Sequence, residues 1–451
     1  MTNAQTQAKP NTFHIQASDI DITEILQDAL DSAGPSGIKV TFGAGKHICR
    51  GIRLPSHTEL HLDAGAEVQF VPTYDAYAHT SVTVEAEQSN RAMIVATGAK
   101  NIALTGAGKI TCQGSTAFSR GDDDVMGTII PYELRPRVMV LDSCEDVRLN
   151  GITVQDSPMW TLHFVGCKNV NIRDVRIDNN RRMPNTDGIV IDGCQNVTIT
   201  DTEIRTADDG VVLKTSARLG GGVVGVCENI QVSGCTIESR SCALKLGTES
   251  FSLFKDITFE DCKIEKSNRG LGIFSRDGGA VENVRFSRID LECIEAPAGF
   301  WGSGEAITIT VLDRRPETTK AGNVSGVVIE DITGTMEGTI NMWAERNGGI
   351  SDVSLKSINL TQKQGALGTA LTYDLRPTPA DLEPSPDAAG RVNAWRLGPD
   401  GRVIGLTDYP GGMPSVFAHN VTDLKIQDLD VTRPTPLPKA WNPALTVEET
   451  A

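Results

Sequence analysis

None of the ten cysteines in this chain is spaced as CxxC or with zinc-ligand spacing. A redox dithiol and a structural zinc are therefore not indicated, and the thiols read as small buried hydrophobes rather than disulfides. Aromatic residues supply only 5% of the 451 residues, against 44 glycines; this disfavours one large aromatic core and favours many tight turns. Positive charge is scarce as well, with a formal net charge of −16 and a pI near 4.9. Nucleic acid and anionic membranes both call for a surplus of Lys and Arg, so neither is expected as a partner. Met1 to Pro10 contain no apolar stretch of the length a secretory signal needs, and no window approaches a membrane span. The chain as given is expected to be cytoplasmic.

What is present is periodic. Ile22, Ile25, Leu26, Ala29, Leu30 and Ala33 follow helical spacing, with Asp21 and Glu24 placed as a capping box and Gly34-Pro35 as the stop. Beyond them the period drops to two, in short runs such as Ile38 to Phe42 and Leu60-His-Leu62. An apolar-x-apolar triplet then follows a turn residue at Asn101, Asp146, Asn169, Asn196, Asn229, Asp256, Asn283, Gly326, Asp352 and Asp423. Spacing of this size marks one coil of a solenoid rather than a hairpin. Asn and Asp at such corners tolerate left-handed backbone and can ladder with their equivalents. Cys144, Cys167, Cys194 and Cys227 each stand two residues before the corner, so they should stack inside as a column of thiols.

These patterns predict an all-β chain, a single-stranded right-handed parallel β-helix. Residues 1–36 form a lead and a helix capping its open end. Residues 37–431 form the β-helix, interrupted by a Pro-, Gly- and Asp-rich surface excursion at about 365–413. Residues 432–451 form a tail along its side.

Two segments carry candidate chemistry, Pro184-Asn-Thr-Asp-Gly188 and Thr206-Ala-Asp-Asp-Gly210. Asp187 and the Asp208–Asp209 pair are about one coil apart, which places three carboxylates on one face. Mutual repulsion would leave one protonated beside one ionised, the pair that glycosidic hydrolysis needs. An isolated Asp at a coil corner would be only a turn residue; the adjacent pair one coil after Asn-Thr-Asp-Gly is what favours chemistry. Neighbouring coils lie roughly 4.8 Å apart, nearer the carboxylate spacing of retaining than of inverting enzymes.

Asn185-Thr-Asp-Gly188, and Asp208-Asp-Gly210 with Val211-Val-Leu-Lys214, resemble the motifs of glycoside hydrolase family 28, the polygalacturonases and their relatives. Ser157 to His163 and Leu60 to Ala66 extend the resemblance along the solenoid. It implies a pectin lyase-like β-helix, Asp208 as general acid, and Asp187 and Asp209 activating water for inversion, without metal or cofactor. Two places depart from the family pattern. Ser241 stands where a histidine is expected, and Gly272 and Phe274 where an Arg-x-Lys clamps the galacturonate carboxylate.

Lys214, Lys245, Arg269 and Arg276 could rebuild a basic pocket, with Arg240 as a further cation. Asn185, His163 and Glu249 complete the candidate substrate-binding set, and Trp301, Trp343 and Glu345 could line a sugar cleft. The expected partner is a pectin-derived or related oligosaccharide, cleaved from one end if Ser216 to Gly225 and the 365–413 excursion close the cleft. Two alternatives stand beside hydrolysis. One is a lyase with calcium on the three aspartates and Lys245 as the proton-abstracting base; the other is a sugar-binding β-helix without catalysis.

Overall fold

The computed structural model describes residues 11–132, 134–382 and 396–450. The first ten residues of the expected lead, and 383–395 of the excursion, lie outside the described residues. The chain is a parallel β-helix with three strand columns. Two run side by side from the first strands, Asn11–Ile15 and Ser18–Asp21, and pair only in parallel. From Val281 they merge into long strands that turn the corner without a break, Val281–Cys293, Val324–Met336, Ile350–Gln362 and Val421–Thr432. The third column includes Leu162–Val165, Ile189–Asp192, Val211–Thr215, Cys242–Ser250, Arg269–Ser275, Glu305–Val311 and Ile340–Ala344. This column carries the site.

The corners behave as their chemistry predicts. Asp146, Asn169, Asn196 and Asn229 have φ of 60°, 56°, 58° and 57°. Their side chains join coil to coil: the Asn169, Asn196 and Asn229 amides donate to the preceding corner at 3.0, 3.2 and 2.8 Å. Inside, strict register stacks like on like. Leu149, Ile172, Ile199, Val232, Phe259 and Phe286 form one row, all buried, and each contributes about 1.5–3 kcal/mol of burial. All ten cysteines are free and buried. The Cys167 amide donates to Cys194 Sγ at 3.3 Å, which ties two members of the thiol column together.

The helix Thr23–Asp31 packs Leu26 and Leu30 into the core, but Ile25 is exposed. The expected capping box does not form: Asp21 accepts from the amide and hydroxyl of Thr23 instead, and Arg50 binds Asp21 at 2.6 Å and Glu24 at 3.7 Å. The end of the chain also differs from expectation. Thr446–Glu449 does not merely run along the side; it adds a parallel strand to the site column against Val416–His419.

Candidate active site

Ile189 pairs with Val211, and Val211 with Leu244, so Asp187, Asp209 and Cys242, each two residues earlier, occupy equivalent places on three successive coils. Backbone bonds run between these places, from Gly188 N to Asp209 O at 2.9 Å and from Gly210 N to Cys242 O at 2.9 Å. Glycine is needed after each aspartate because the coils nearly touch there. A Cβ at Gly188 would lie 2.7 Å from Gly210 O, and one at Gly210 2.6 Å from Ala243 O.

Carboxylate oxygens of Asp187, Asp208 and Asp209 all lie within 4.8 Å of one another, and all three residues are buried. Burial, then the charges of Asp208 and Asp209, push Asp187 well above the ordinary carboxylate range. Burial and Asp209 push Asp208 up to about 7. Asp209 is held from the other side: its Oδ2 lies 2.7 Å from Lys245 Nζ, and its Oδ1 accepts from Ser241 Oγ at 2.8 Å and the Cys242 amide at 3.3 Å. One cluster therefore combines a protonated acid at near-neutral pH with a carboxylate anchored by an ammonium, an acid–base arrangement.

Around the cluster the pocket is lined by Trp160, Asn185, Lys214, Glu249, Arg269 and Phe274, with Glu87, Arg314, Arg376 and Pro377 from more distant segments. Lys214 Nζ lies 2.6 Å from Glu249 and 4.8 Å from the Trp160 ring centroid. Lys214, with Arg314, overcomes burial to hold Glu249 well below the carboxylate range. At the position where the resemblance leads one to expect a lysine, the Phe274 ring carries Lys245 and Arg269 at 5.3 and 5.2 Å. Gly272 makes room for it, since a Cβ there would meet the ring at 2.6 Å.

The family model for glycosyl hydrolases family 28 matches residues 36–372. The chain belongs to this family of glycosidases. A probable polygalacturonase of Arabidopsis thaliana is 28% identical to it over 255 residues, 54% of this chain and 49% of the plant protein, so the match spans about half of that relative. An endo-polygalacturonase of Pectobacterium carotovorum subsp. carotovorum is 22% identical over 377 residues, covering 80% of this chain and 89% of that protein. Among solved structures, the Yersinia enterocolitica family 28 exopolygalacturonase superposes with a TM-score of 0.66 at 15% identity, over 98% of this chain and 78% of its own.

In this family 28 chain the structure gathers Asn185, Lys214, Lys245, Arg269 and Glu249 around the three aspartates, and it removes two expected contacts. His163 is fully buried away from the pocket. Arg137 donates to its Nδ1 at 2.9 Å and Asp192 lies 3.3 Å from its Nε2; burial and Arg137 outweigh Asp192 and lower its pKa to about 4. It is a neutral structural histidine.

Arg276 is equally buried. Its guanidinium donates to the carbonyls of Ser275, Thr310, Leu375, Arg376 and Pro377, so it anchors the Asp374–Pro377 strap rather than meeting substrate. Arg240 is turned to the carbonyls of Gly127 and Arg181. Trp301 lines the pocket, whereas Trp343 stacks on His419 at 5.5 Å and Glu345 accepts from the Asp313 amide.

The Ser216–Gly225 loop is not among the segments lining the pocket: Arg218 binds Asp142 at 2.9 Å and Thr83, in the strand Ser81–Ala86, at 3.0 Å. Glu87, Arg314, Arg376 and Pro377 escaped the sequence reading because their local segments show no motif; the Glu87–Gln88 turn lacks the Asn or Gly that signals a hairpin.

Proposed function

We propose that the chain hydrolyses glycosidic bonds in uronate-containing, pectin-derived oligosaccharides, acting from one end and with inversion. The observation that carries the reading is the cluster of Asp187, Asp208 and Asp209 with Lys245 on Asp209. Asp208 protonates the leaving oxygen, and Asp209, anchored on Lys245, takes the proton of the attacking water while Asp187 orients that water.

A uronate is favoured by charge. The pocket wall holds Lys214, Lys245, Arg269, Arg314 and Arg376 in a chain of net charge −16. With Asp187 and Asp208 protonated, those cations outnumber the ionised carboxylates of the wall. Action from one end is supported by two segments that reach the pocket from opposite sides of the acidic coils. Glu87 comes from coils before Asp187, and Arg376 and Pro377 come from a strap seated on the coils of Arg276 and Thr310. The lyase alternative is weaker, since Lys245 Nζ is engaged with Asp209 at 2.7 Å rather than poised as a base.

A screen of defined uronic and neutral oligosaccharides against wild type and Asp208→Asn tests the assignment. Release of monosaccharide from oligogalacturonates, lost in a folded Asp208→Asn, is expected; an active Asp208→Asn removes Asp208 from the acid role. NMR of the first-formed anomer tests the stereochemistry, where retention would contradict inversion and agree instead with the close carboxylate spacing.

A further inference from the structure

A hairpin formed by Ser81–Ala86 and Ser89–Thr97 brings a fifth carboxylate to the pocket, beside the three aspartates and Glu249. Its two-residue turn, Glu87–Gln88, has φ of 48° and 63°, the paired left-handed geometry that suits the twist of a hairpin. Just before the turn, Ala86 packs with Met159 and Trp160, on the coil before Asp187, and with Val190 and Val212, on the coils that carry Asp187 and Asp209. From outside, Arg218 holds Thr83 at 3.0 Å. The tip is therefore docked on the site column, and Glu87 lines the same pocket as Asp208.

The charges of both carboxylates act on Arg135, which is bonded to the pocket residue Asn185. It is buried, and it donates to the carbonyls of Pro158 and Pro184 at 3.0 and 2.7 Å and to Asn185 Oδ1 at 2.7 Å. A guanidinium in that place stabilises the ionised form of any neighbouring carboxyl. We infer that Glu87 is a positioning residue which balances Arg135 and so keeps Asp208 in its acid form.

The other charges acting on Asp208 are Asp209 on its own turn, Lys245 on the following coil, and Lys214, while Asp187 on the preceding coil has a carboxylate oxygen within 4.8 Å. Lys245 and Lys214 pull towards ionisation, whereas Asp209 and Glu87 oppose it. Of the opposing pair, Asp209 has its own ammonium, Lys245. Glu87 supplies its negative charge from outside the two aspartate motifs, on a hairpin held in place by packing. The inference rests on Asp208 being the general acid, but its direct test does not.

Infrared titration of protein labelled with 13C-aspartate reads the Asp208 carboxyl as the band that Asp208→Asn abolishes. In Glu87→Gln its midpoint should fall by about 0.5 pH unit or more, and further in Glu87→Lys. Gln88→Asn, next to it on the turn, should leave the midpoint where it is. The basic limb of kcat/KM on trigalacturonate should move the same way. A midpoint unchanged in both Glu87 variants overturns the inference even if the enzyme is active. A midpoint that falls in a protein cleaving no oligosaccharide supports the role of Glu87 and overturns the hydrolase reading instead.

Discussion

Lys245 reaches from one coil to the preceding one to set its Nζ 2.7 Å from Asp209 Oδ2. On the same carboxylate, Ser241 donates to Oδ1 at 2.8 Å, at the place where the family resemblance leads one to expect histidine. A serine hydroxyl can hold an oxygen but brings no charge. In this site the cation in contact with Asp209 is the ammonium of Lys245, which together with that of Lys214 also acts on Asp187 and Asp208.

Replacing Lys245 by Met should cut kcat by about 100-fold or more, because Asp209 would stay buried with no counter-ion. The same change removes a charge that lowers Asp208, so the basic limb of the pH–kcat/KM profile should move up, opposite in sign to the Glu87 substitutions. Steady-state kinetics across pH 4–9 would check both; kcat within twofold of wild type would show that Lys245 is not part of the machinery.

Stability should depend on pH through the raised carboxyls. Asp208 goes from an ordinary value of 3.8 to about 7 on folding, so the folded state binds the proton more tightly than the unfolded one. Its contribution is fully present below about pH 3.8 and is lost as pH rises through about 7. Asp208→Asn, which cannot ionise, should therefore melt several degrees above wild type at pH 8 and close to it at pH 4. Thermal melts at the two pH values give the answer, and an equal difference at both would contradict the raised value.

The strap over the pocket depends on one buried acid. Asp374 takes Arg269 Nη2 at 2.8 Å and Arg376 at 2.8 Å through Nε and Nη2, and these two cations overcome burial to hold it far below the carboxylate range. Asp374→Ala should destabilise the chain by about 3–5 kcal/mol, since both guanidinium groups lose a buried partner. Limited proteolysis should cut near residues 374–378 before anything else, and activity should fall as Arg376 and Pro377 leave the wall. An unchanged Tm would mean that the strap is held by its other contacts, the Arg276 carbonyl bonds and those of Arg376 to Gly299 and Phe300.

The thiols make a simpler prediction. With all ten cysteines free and buried, a thiol reagent should label none in the native protein and ten after denaturation, and reductant should leave Tm unchanged. Rapid labelling of any native thiol would place it outside the core.

Much of this molecule is legible in its sequence because its repeat is local. The corners at Asp146, Asn169, Asn196 and Asn229 announce left-handed geometry through their own side chains. Alternation between corners decides which residues face inward, and one coil of chain separates Asp187 from Asp208, so their meeting follows from register alone. His163 and Arg276 resist the same reading. A polar residue at a strand end looks alike in sequence whether it faces a cleft or a buried ion pair, and only their partners, Arg137 with Asp192 and the strap carbonyls, tell the difference.

Composition and periodicity by themselves determined the coil, its corners, the buried thiol column and the acidic motifs, since each depends on neighbours within one turn of chain. What closes the pocket was decided only by tertiary structure. Glu87, Arg314, Arg376 and Pro377 arrive on loops with no period of their own, and their places follow from what they pack on: Ala86 against Trp160 and Val212, Arg314 on Asp277, and the strap on Arg269 and Arg276. Such contacts between distant loops are set by burial and charge pairing, and no local pattern records them.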